Sequence, residues 1–381
     1  MSIVIGADFV PTSRNKELFI NGNVTELVGE KLENIIKEAD LRVFNLEMPL
    51  IDEPSPIKKS GPCIKAPALS INAYKNLNVN LVTIGNNHLM DHGEKGYRST
   101  VDILNKEGIE FVGAGDNISS VKHSTIVDVK GKKVGVYACA EHEFSIATKT
   151  YCGANPYDPL ESFDHVQELK KQCDFVIVLY HGGRENYRYP SPNQQRVFRK
   201  FVDKGADLVV GQHSHCICCE EKYNGKTLIY GQGNFVFDYG EEEVCLTSLL
   251  VKVNDDFSIE YLPLSKQIEK VRLAEGQVAE EILGNFNKRS QEITVDGVIE
   301  QKFAEHANKL SLHTLLVATG MKYTFARKVL NRLSKKKFMA KNFAKRFKGK
   351  KKLSLLNLVR CEAHNELTQQ VMLNMFNEEN R

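Results

Sequence analysis

The sequence predicts an α/β protein: two mixed sheets packed face to face, helices outside them, and a basic helical extension at the C-terminal end. Three observations carry this. Up to about residue 212, short β-rich apolar runs alternate with segments of helical spacing. Between residues 227 and 262 strands follow one another without long helices, and beyond about residue 274 the pattern becomes helical. That change divides the chain into an expected body, 1–270, and a helical, basic region, 271–381.

Taken in order, residues 2–7 are an apolar strand ending at Asp8. Residues 27–39 carry helical spacing at Leu32, Ile35, Ile36 and Ala39, and 41–44 is a second strand, ending at Asn45-Leu46-Glu47. Residues 52–67, rich in Pro, Lys and Gly, read as an extended loop reaching over something. A helix at 69–77 leads into a strand at 80–84, with Gly85-Asn86-Asn87-His88 at its end; 96–107 is helical and 110–112 a short strand. Two β-rich runs within 124–138 flank Lys130-Gly131-Lys132, a hairpin signal. A helix at 160–172 precedes the strand 175–180, which ends at His181. A helix at 193–203 precedes the strand 206–210, which ends at Gly211-Gln212-His213-Ser214-His215. Further strands are expected at 227–230, 234–237, 247–253 and 258–262.

The composition, 42% hydrophobic and 26% charged over 381 residues, is that of a soluble globular protein. The net charge of +3 hides an asymmetry: residues 307–381 hold 17 Lys+Arg against 4 Asp+Glu, which leaves 34 against 44 for residues 1–306. The body is acidic and the tail basic. The N-terminus lacks the basic and apolar regions of a signal peptide, and no apolar run approaches the roughly 18 residues needed to cross a bilayer. A cytoplasmic protein is expected, peripheral on the inner membrane face if the tail binds lipid.

Nine cysteines, an odd number without framework spacing, fit a reducing compartment. Cys216, Cys218 and Cys219 crowd the His-x-His turn. No second cysteine pair stands at zinc-ribbon spacing, so they read as small buried residues on a following strand. In the tail, 323–348 places Phe325, Val329, Leu330, Leu333, Met339, Phe343 and Phe347 at helical spacing among Lys and Arg. Two readings stand: a basic helical hairpin docked on the acidic body, or attachment through 307–360 to an anionic membrane surface or a synthase partner. Nucleic acid is set aside, since no aromatic-basic platform accompanies the charge.

His-x-His at a strand end aims two nitrogens at one point, though two loop histidines alone are weak evidence for a metal. The case grows with what else stands at strand ends: Asp8, Asn45 with Glu47, Asn87 with His88, and His181. Open α/β sheets place their sites along that edge. Three imidazoles, two carboxylates and a carboxamide oxygen form a mixed nitrogen/oxygen set suited to Zn, Mn or Fe rather than to Ca or Mg.

The ordered series Gly6-Ala7-Asp8, Asn45-Leu46-Glu47, Gly85-Asn86-Asn87-His88-Leu89-Met90-Asp91-His92-Gly93, His181-Gly182-Gly183-Arg184-Glu185, Gly205 to His215 and Tyr230-Gly231-Gln232-Gly233-Asn234-Phe235-Val236-Phe237 resembles the CapA family. These are capsule or poly-γ-glutamate biosynthesis proteins within the calcineurin-like metallophosphatase superfamily. The resemblance runs from about residue 3 to about 265. It implies a four-layer α/β/β/α sandwich with one or two divalent transition-metal ions at one edge of the sheets. Asp8 and His215 would hold one ion, Asn87, His181 and His213 the other, and Glu47 would bridge them. His88 would donate a proton to the leaving group, with Asp91 orienting it. Asn45, Glu185 and Asn234 would support the ligands or touch substrate.

The family pattern is not matched everywhere. Position 10 is Val10 where the superfamily has the histidine of Asp-x-His, so the ion held by Asp8 and His215 is expected to lack a ligand. Glu47 replaces an aspartate. Gly182 stands where an aromatic residue is usual, and Gly231-Gln232 where Ser-Leu is. His92, His123, His142 and His165 fall in no matching ligand position and read as surface or core histidines, although Glu141-His142-Glu143 follows a strand and would overhang the site. Gly113-Ala114-Gly115 reads as a turn. The implied function is a metal-dependent hydrolase of the CapA type, acting on a surface polymer or its precursor. The alternative is a non-catalytic polymer-binding or scaffold protein of a polymer synthase.

Overall fold

A computed structural model describes residues 1–237, 243–267, 269–318 and 349–378. Contacts divide the chain into two compact units, Met1–Phe303 and Ala304–Arg381. The expected division at 270/271 assigned the helix Gly276–Glu292 to the C-terminal region. In the structure this helix buries Ile282 and Phe286 in a cluster with Ile217 and Leu249 of the first unit.

The first unit carries two large sheets. Its strands are β1 (Ile3–Asp8), β2 (Leu41–Asn45), β3 (Leu81–Thr83), β4 (Glu110–Val112), β5 (Ala114–Gly115), β6 (Ser124–Val129), β7 (Lys132–Ala140), β8 (Gly153–Ala154), β9 (Phe175–His181), β10 (Leu208–Gln212), β11 (Glu220–Tyr223), β12 (Lys226–Ile229), β13 (Thr247–Val253), β14 (Ile259–Gln267) and β15 (Lys270–Leu273). One sheet has the order β15-β14-β13-β1-β2-β3-β4, the other β11-β12-β10-β9-β7-β6, and β5 pairs with β8 alone. In each large sheet four neighbouring strands are parallel (β1 to β4; β7, β9, β10 and β12), and the remaining strands join antiparallel.

The side-chain period of two in β1 shows how the layers form. Ile3 and Ile5 point into a core shared with Val136, Ile177, Leu208 and Val210 of the other sheet. Val4 points the opposite way, into a core with Leu32, Ile36, Tyr74 and Leu104 from helices. The second sheet does the same, packing Val176, Val178 and Val209 against Val166, Phe198 and Phe201. These three apolar interfaces make the expected α/β/β/α sandwich. Each aliphatic side chain fully buried there is worth about 1.5–3 kcal/mol.

Several local expectations change. The helix expected at 27–39 is two helices, Val24–Val28 and Glu30–Glu38, because Gly29 between them takes φ 81°, a left-handed value that breaks the ladder. Segment 234–237 is no sheet strand. It runs beside the end of β1 through one bridge, Phe9 to Val236, with Val10 N donating to Val236 O at 2.7 Å. Cys216, Cys218 and Cys219 are buried as expected but precede β11 rather than lie in it.

In the second unit, the helices Lys350–Arg360 and Glu362–Glu378 are joined at Cys361. The basic segment 323–348 lies outside the described residues. Among the described residues no helix is long and apolar enough to cross a membrane.

Candidate metal centre

The candidate ligands gather where the parallel strands of both sheets end. Asp8 closes β1, Glu47 follows the end of β2 by two residues, and a turn after β3 presents Asn87 and His88. His181 closes β9, and His213 and His215 follow β10. The first sheet thus supplies Asp8, Glu47 and Asn87, and the second supplies His181, His213 and His215; all six are buried.

The His-x-His turn is held in an unusual backbone shape. His213 and His215 have φ of 80° and 56°, a region that side chains with a β-carbon seldom adopt, at about 1–3 kcal/mol each. Tight packing below maintains it. A β-carbon on Gly231 would stand 2.4 Å from Ser214 Oγ and 2.6 Å from Cys218 Sγ. This explains one departure from the family pattern, since the turn fills the space a serine side chain would need. Gly182 is similar: Glu141 and Tyr180 occupy the room an aromatic side chain would take.

The distances define two halves. His181 Nε2 lies 3.0 Å from Asn87 Oδ1 and 3.6 Å from Glu47 Oε1. His215 Nδ1 lies 3.4 Å from Asp8 Oδ2 and 2.8 Å from Asn234 Oδ1. Donor atoms of Glu47, His181 and His213 fall within 4.8 Å of one another, and so do those of Asp8, Glu47 and His215. Glu47 is common to both sets. A third set, Glu185, His213 and His215, meets the same limit, so Glu185 faces the histidine turn from the rim. Asn45 donates to Asp8 Oδ1 at 2.6 Å and accepts from Asn86 Nδ2 at 3.2 Å.

The electrostatics test whether a cation fits. Neither oxygen of Glu47 receives a hydrogen bond, and Nδ1 of His181 and of His213 has no partner. Burial, then the charge of Asp8, push the Glu47 carboxyl well above its ordinary range. Burial depresses His181, with His213 adding to the effect, and burial and His215 pull His213 down to about 4. Burial also acts upward on Asp8, but hydrogen bonding and charge from His215, the charge of His181 and the Asn45 amide outweigh it, so Asp8 stays below the usual carboxylate range. An ionised carboxylate, a second carboxylate without donors and two imidazoles, His181 and His213, that burial holds below their ordinary range therefore share one buried point. A divalent cation supplies the positive charge this set lacks, and the residues fit one.

Beside the ligands, His88 Nδ1 lies 2.6 Å from Asp91 Oδ2, and Asp91 is fully buried. Two groups that sequence reasoning missed complete this corner. Lys59, from the loop at 52–67, pairs with Asp91 Oδ1 and lies 3.4 Å from His88 Nδ1, while Ile64 N donates to Asp91 Oδ2 at 2.7 Å. What that loop covers is the His88–Asp91 pair; its Lys-rich composition was the one available signal. Glu143, expected only as part of an overhanging segment, also makes a contact that sequence reasoning did not assign. Its Oε2 accepts from Asn87 Nδ2 at 3.3 Å, which turns the Asn87 oxygen toward His181. The Glu141-His142-Glu143 segment thus overhangs the site through Glu143, and His142 is exposed.

The remaining histidines and thiols lie apart. His123 and His165 stack on each other at 4.2 Å, and His92 Nδ1 accepts from Ser55 N at 2.7 Å. Among the described residues no cysteine joins a donor cluster.

Fold and site together define a class: a two-sheet α/β sandwich with a cluster of imidazole, carboxylate and amide donors along one edge. The family model described as bacterial capsule synthesis protein PGA_cap matches residues 7–239, and the chain belongs to that family. Capsule biosynthesis protein CapA of Bacillus anthracis is 29% identical over 266 residues, covering 67% of this chain and 65% of that protein. PGA biosynthesis protein CapA of Bacillus subtilis (strain 168) is 34% identical over 178 residues, covering 45% and 46%. The chain thus spans less than two thirds of the length of these curated relatives. Among solved structures, a hypothetical protein from Thermus thermophilus is similar over 70% of this chain and 100% of its own, at 14% identity and a TM-score of 0.46.

Proposed function

We propose that the chain is a metal-dependent hydrolase with a phosphoesterase-type site, serving the biosynthesis of a capsule, poly-γ-glutamate or another surface polymer. The observation that carries this is the convergence of four buried donors from two sheets, Asp8, His181, His213 and His215, on Glu47, whose oxygens have no hydrogen-bond donor of their own. A divalent ion such as Mn, Zn or Fe bound there supplies Lewis-acid chemistry, polarising the attacked group and lowering the pKa of water.

The chain's own residues do the rest. Asp8 and Glu47 lie out of water, and Asn45 and Asn87 are fixed by hydrogen bonds, so little rearrangement accompanies binding. The hydrogen bond to Asp91 engages Nδ1 of His88 and leaves Nε2 for a proton passed to the leaving group. Lys59 and Ile64 hold Asp91 in place, and through it the ring.

The test is metal analysis of the protein purified without chelators, with Mn-dependent turnover of a generic aryl phosphate. Bound transition metal, and turnover lost in His88→Ala and Asp8→Ala, is the expected result. Absence of bound transition metal would sink the enzymatic reading and leave a polymer-binding or scaffold role. Attachment of the basic tail to an anionic membrane surface or a synthase is a separate proposal. Deletion of 307–381 should abolish liposome sedimentation, and unchanged sedimentation removes the membrane version.

A further inference from the structure

We infer that Asn234 is a direct ligand of the ion held by Asp8 and His215, and that its amide oxygen takes the place of the histidine absent at position 10. This rests on the metal-dependent reading of the site. Val10 is wholly buried in the helix-side core, so the first strand offers that ion Asp8 alone. The segment containing Asn234 reaches the same point by another route. Val236 N donates to Asp8 O at 2.9 Å and Val10 N to Val236 O at 2.7 Å, so residues 234–237 lie against the chain on either side of position 9.

Asn234 Oδ1 then stands 2.8 Å from His215 Nδ1, which is 3.4 Å from Asp8 Oδ2. In the other half, Asn87 Oδ1 stands 3.0 Å from His181 Nε2. The two halves repeat one relationship, an amide oxygen beside an imidazole nitrogen, with Glu47 between them. Neighbouring ligands about 2.1 Å from one ion are about 3 Å apart, which is the spacing found in both. The rest of the Asn234 side chain is otherwise unused: it is fully buried and its Nδ2 has no partner. A residue kept only for local hydrogen bonding would be expected to use both ends of its amide.

The competing arrangement has His215 Nδ1–H donating to Asn234 Oδ1, so that Asn234 merely orients the ring. Such outer partners typically change metal affinity by about 10–100-fold, whereas loss of a direct ligand from a sparsely furnished ion empties that position. The test uses the full chain, stripped with chelator and re-dialysed against Mn(II). Ions per chain are counted by mass spectrometry, and Mn–Mn coupling is read by electron paramagnetic resonance. The wild type is expected to hold two coupled ions, Asn234→Ala one uncoupled ion, and Asn234→Asp two again. Melting of the stripped proteins checks that Asn234→Ala remains folded.

Retention of both ions in Asn234→Ala, with affinity lowered by about 100-fold or less, overturns the inference. So does a single wild-type ion that Asn234→Ala leaves undisturbed. A single wild-type ion lost in Asn234→Ala and kept in Asn234→Asp supports it. A wild type that binds no Mn(II) fails at the earlier step, the cation site itself, and is distinguished by that.

Discussion

Nδ1 of His88 and Oδ2 of Asp91 lie 2.6 Å apart in a corner closed by Lys59. If His88 passes a proton to the leaving group, His88→Ala lowers kcat by about 10²–10⁴-fold, the usual contribution of a positioned acid. Metal content should not change, because His88 belongs to none of the three donor sets. Parallel kinetics and metal analysis check this; loss of metal together with rate would assign His88 to binding.

Lys59 and Asp91 form a pair whose side chains are only 2% and 0% exposed. Lys59→Met leaves a buried carboxylate without its cation and should cost about 3–5 kcal/mol in chemical denaturation. Lys59→Met combined with Asp91→Asn should recover part of the loss, since the uncompensated charge is gone. A double variant no more stable than Lys59→Met would show that the pair matters through packing.

Glu47 yields a prediction with a change of sign. In chelator its folded pKa is raised above the ordinary 4.5 by burial and by Asp8. As pH rises above about 4.5 the unfolded chain releases this proton before the folded chain does, so the contribution present at lower pH is lost up to the raised pKa. Glu47→Gln removes that loss. The chelated variant should melt above the chelated wild type at pH 7, and the difference should vanish near pH 4. With Mn(II) the order reverses, because only the wild type gains the binding energy, about 2.7 kcal/mol at a hundredfold excess over Kd. Thermal melts at both pH values, with and without metal, check all three signs.

Gly231→Ala places a methyl group where Ser214 Oγ and Cys218 Sγ already stand. The expected cost is about 1–3 kcal/mol, with metal affinity reduced because Ser214 lies between the two turn histidines. Gly225→Ala offers no clash, though its positive φ makes it a strained control at a site far from the ligands. Calorimetric titration of both separates displacement of the turn from general destabilisation.

Much of this site was legible because a parallel strand announces its own end. Apolar runs closing on Asp8, Asn45-Leu46-Glu47, Gly85-Asn86-Asn87-His88, His181 and Gly211-Gln212-His213 pointed to five strand ends, and the family motifs supplied the division of these residues into ligands and proton donor. Lys59 was not legible. Its importance comes from a partner 32 residues away, and a lysine in a loop among Pro and Gly is indistinguishable in sequence from a solvated one. Asn234 was read as part of a strand because Phe235-Val236-Phe237 has strand composition. The segment spends only one bridge on pairing and otherwise fills the space beside β1. Glu143 was half visible, as an overhang without an assigned contact.

The division of ligands between the sheets also sets a schedule for biosynthesis. Asp8, Glu47 and Asn87 leave the ribosome first, and a chain halted before His181 carries acidic and amide donors but none of the imidazoles in either donor set. His215 must emerge before both sets are complete, and by then β1 to β10 have all been made. Firm capture of an ion would therefore report that the parallel strands β1 to β4 have met β7, β9 and β10 of the other sheet, before the antiparallel strands β13 to β15 complete the first sheet, which makes a bound cation an inspector of assembly.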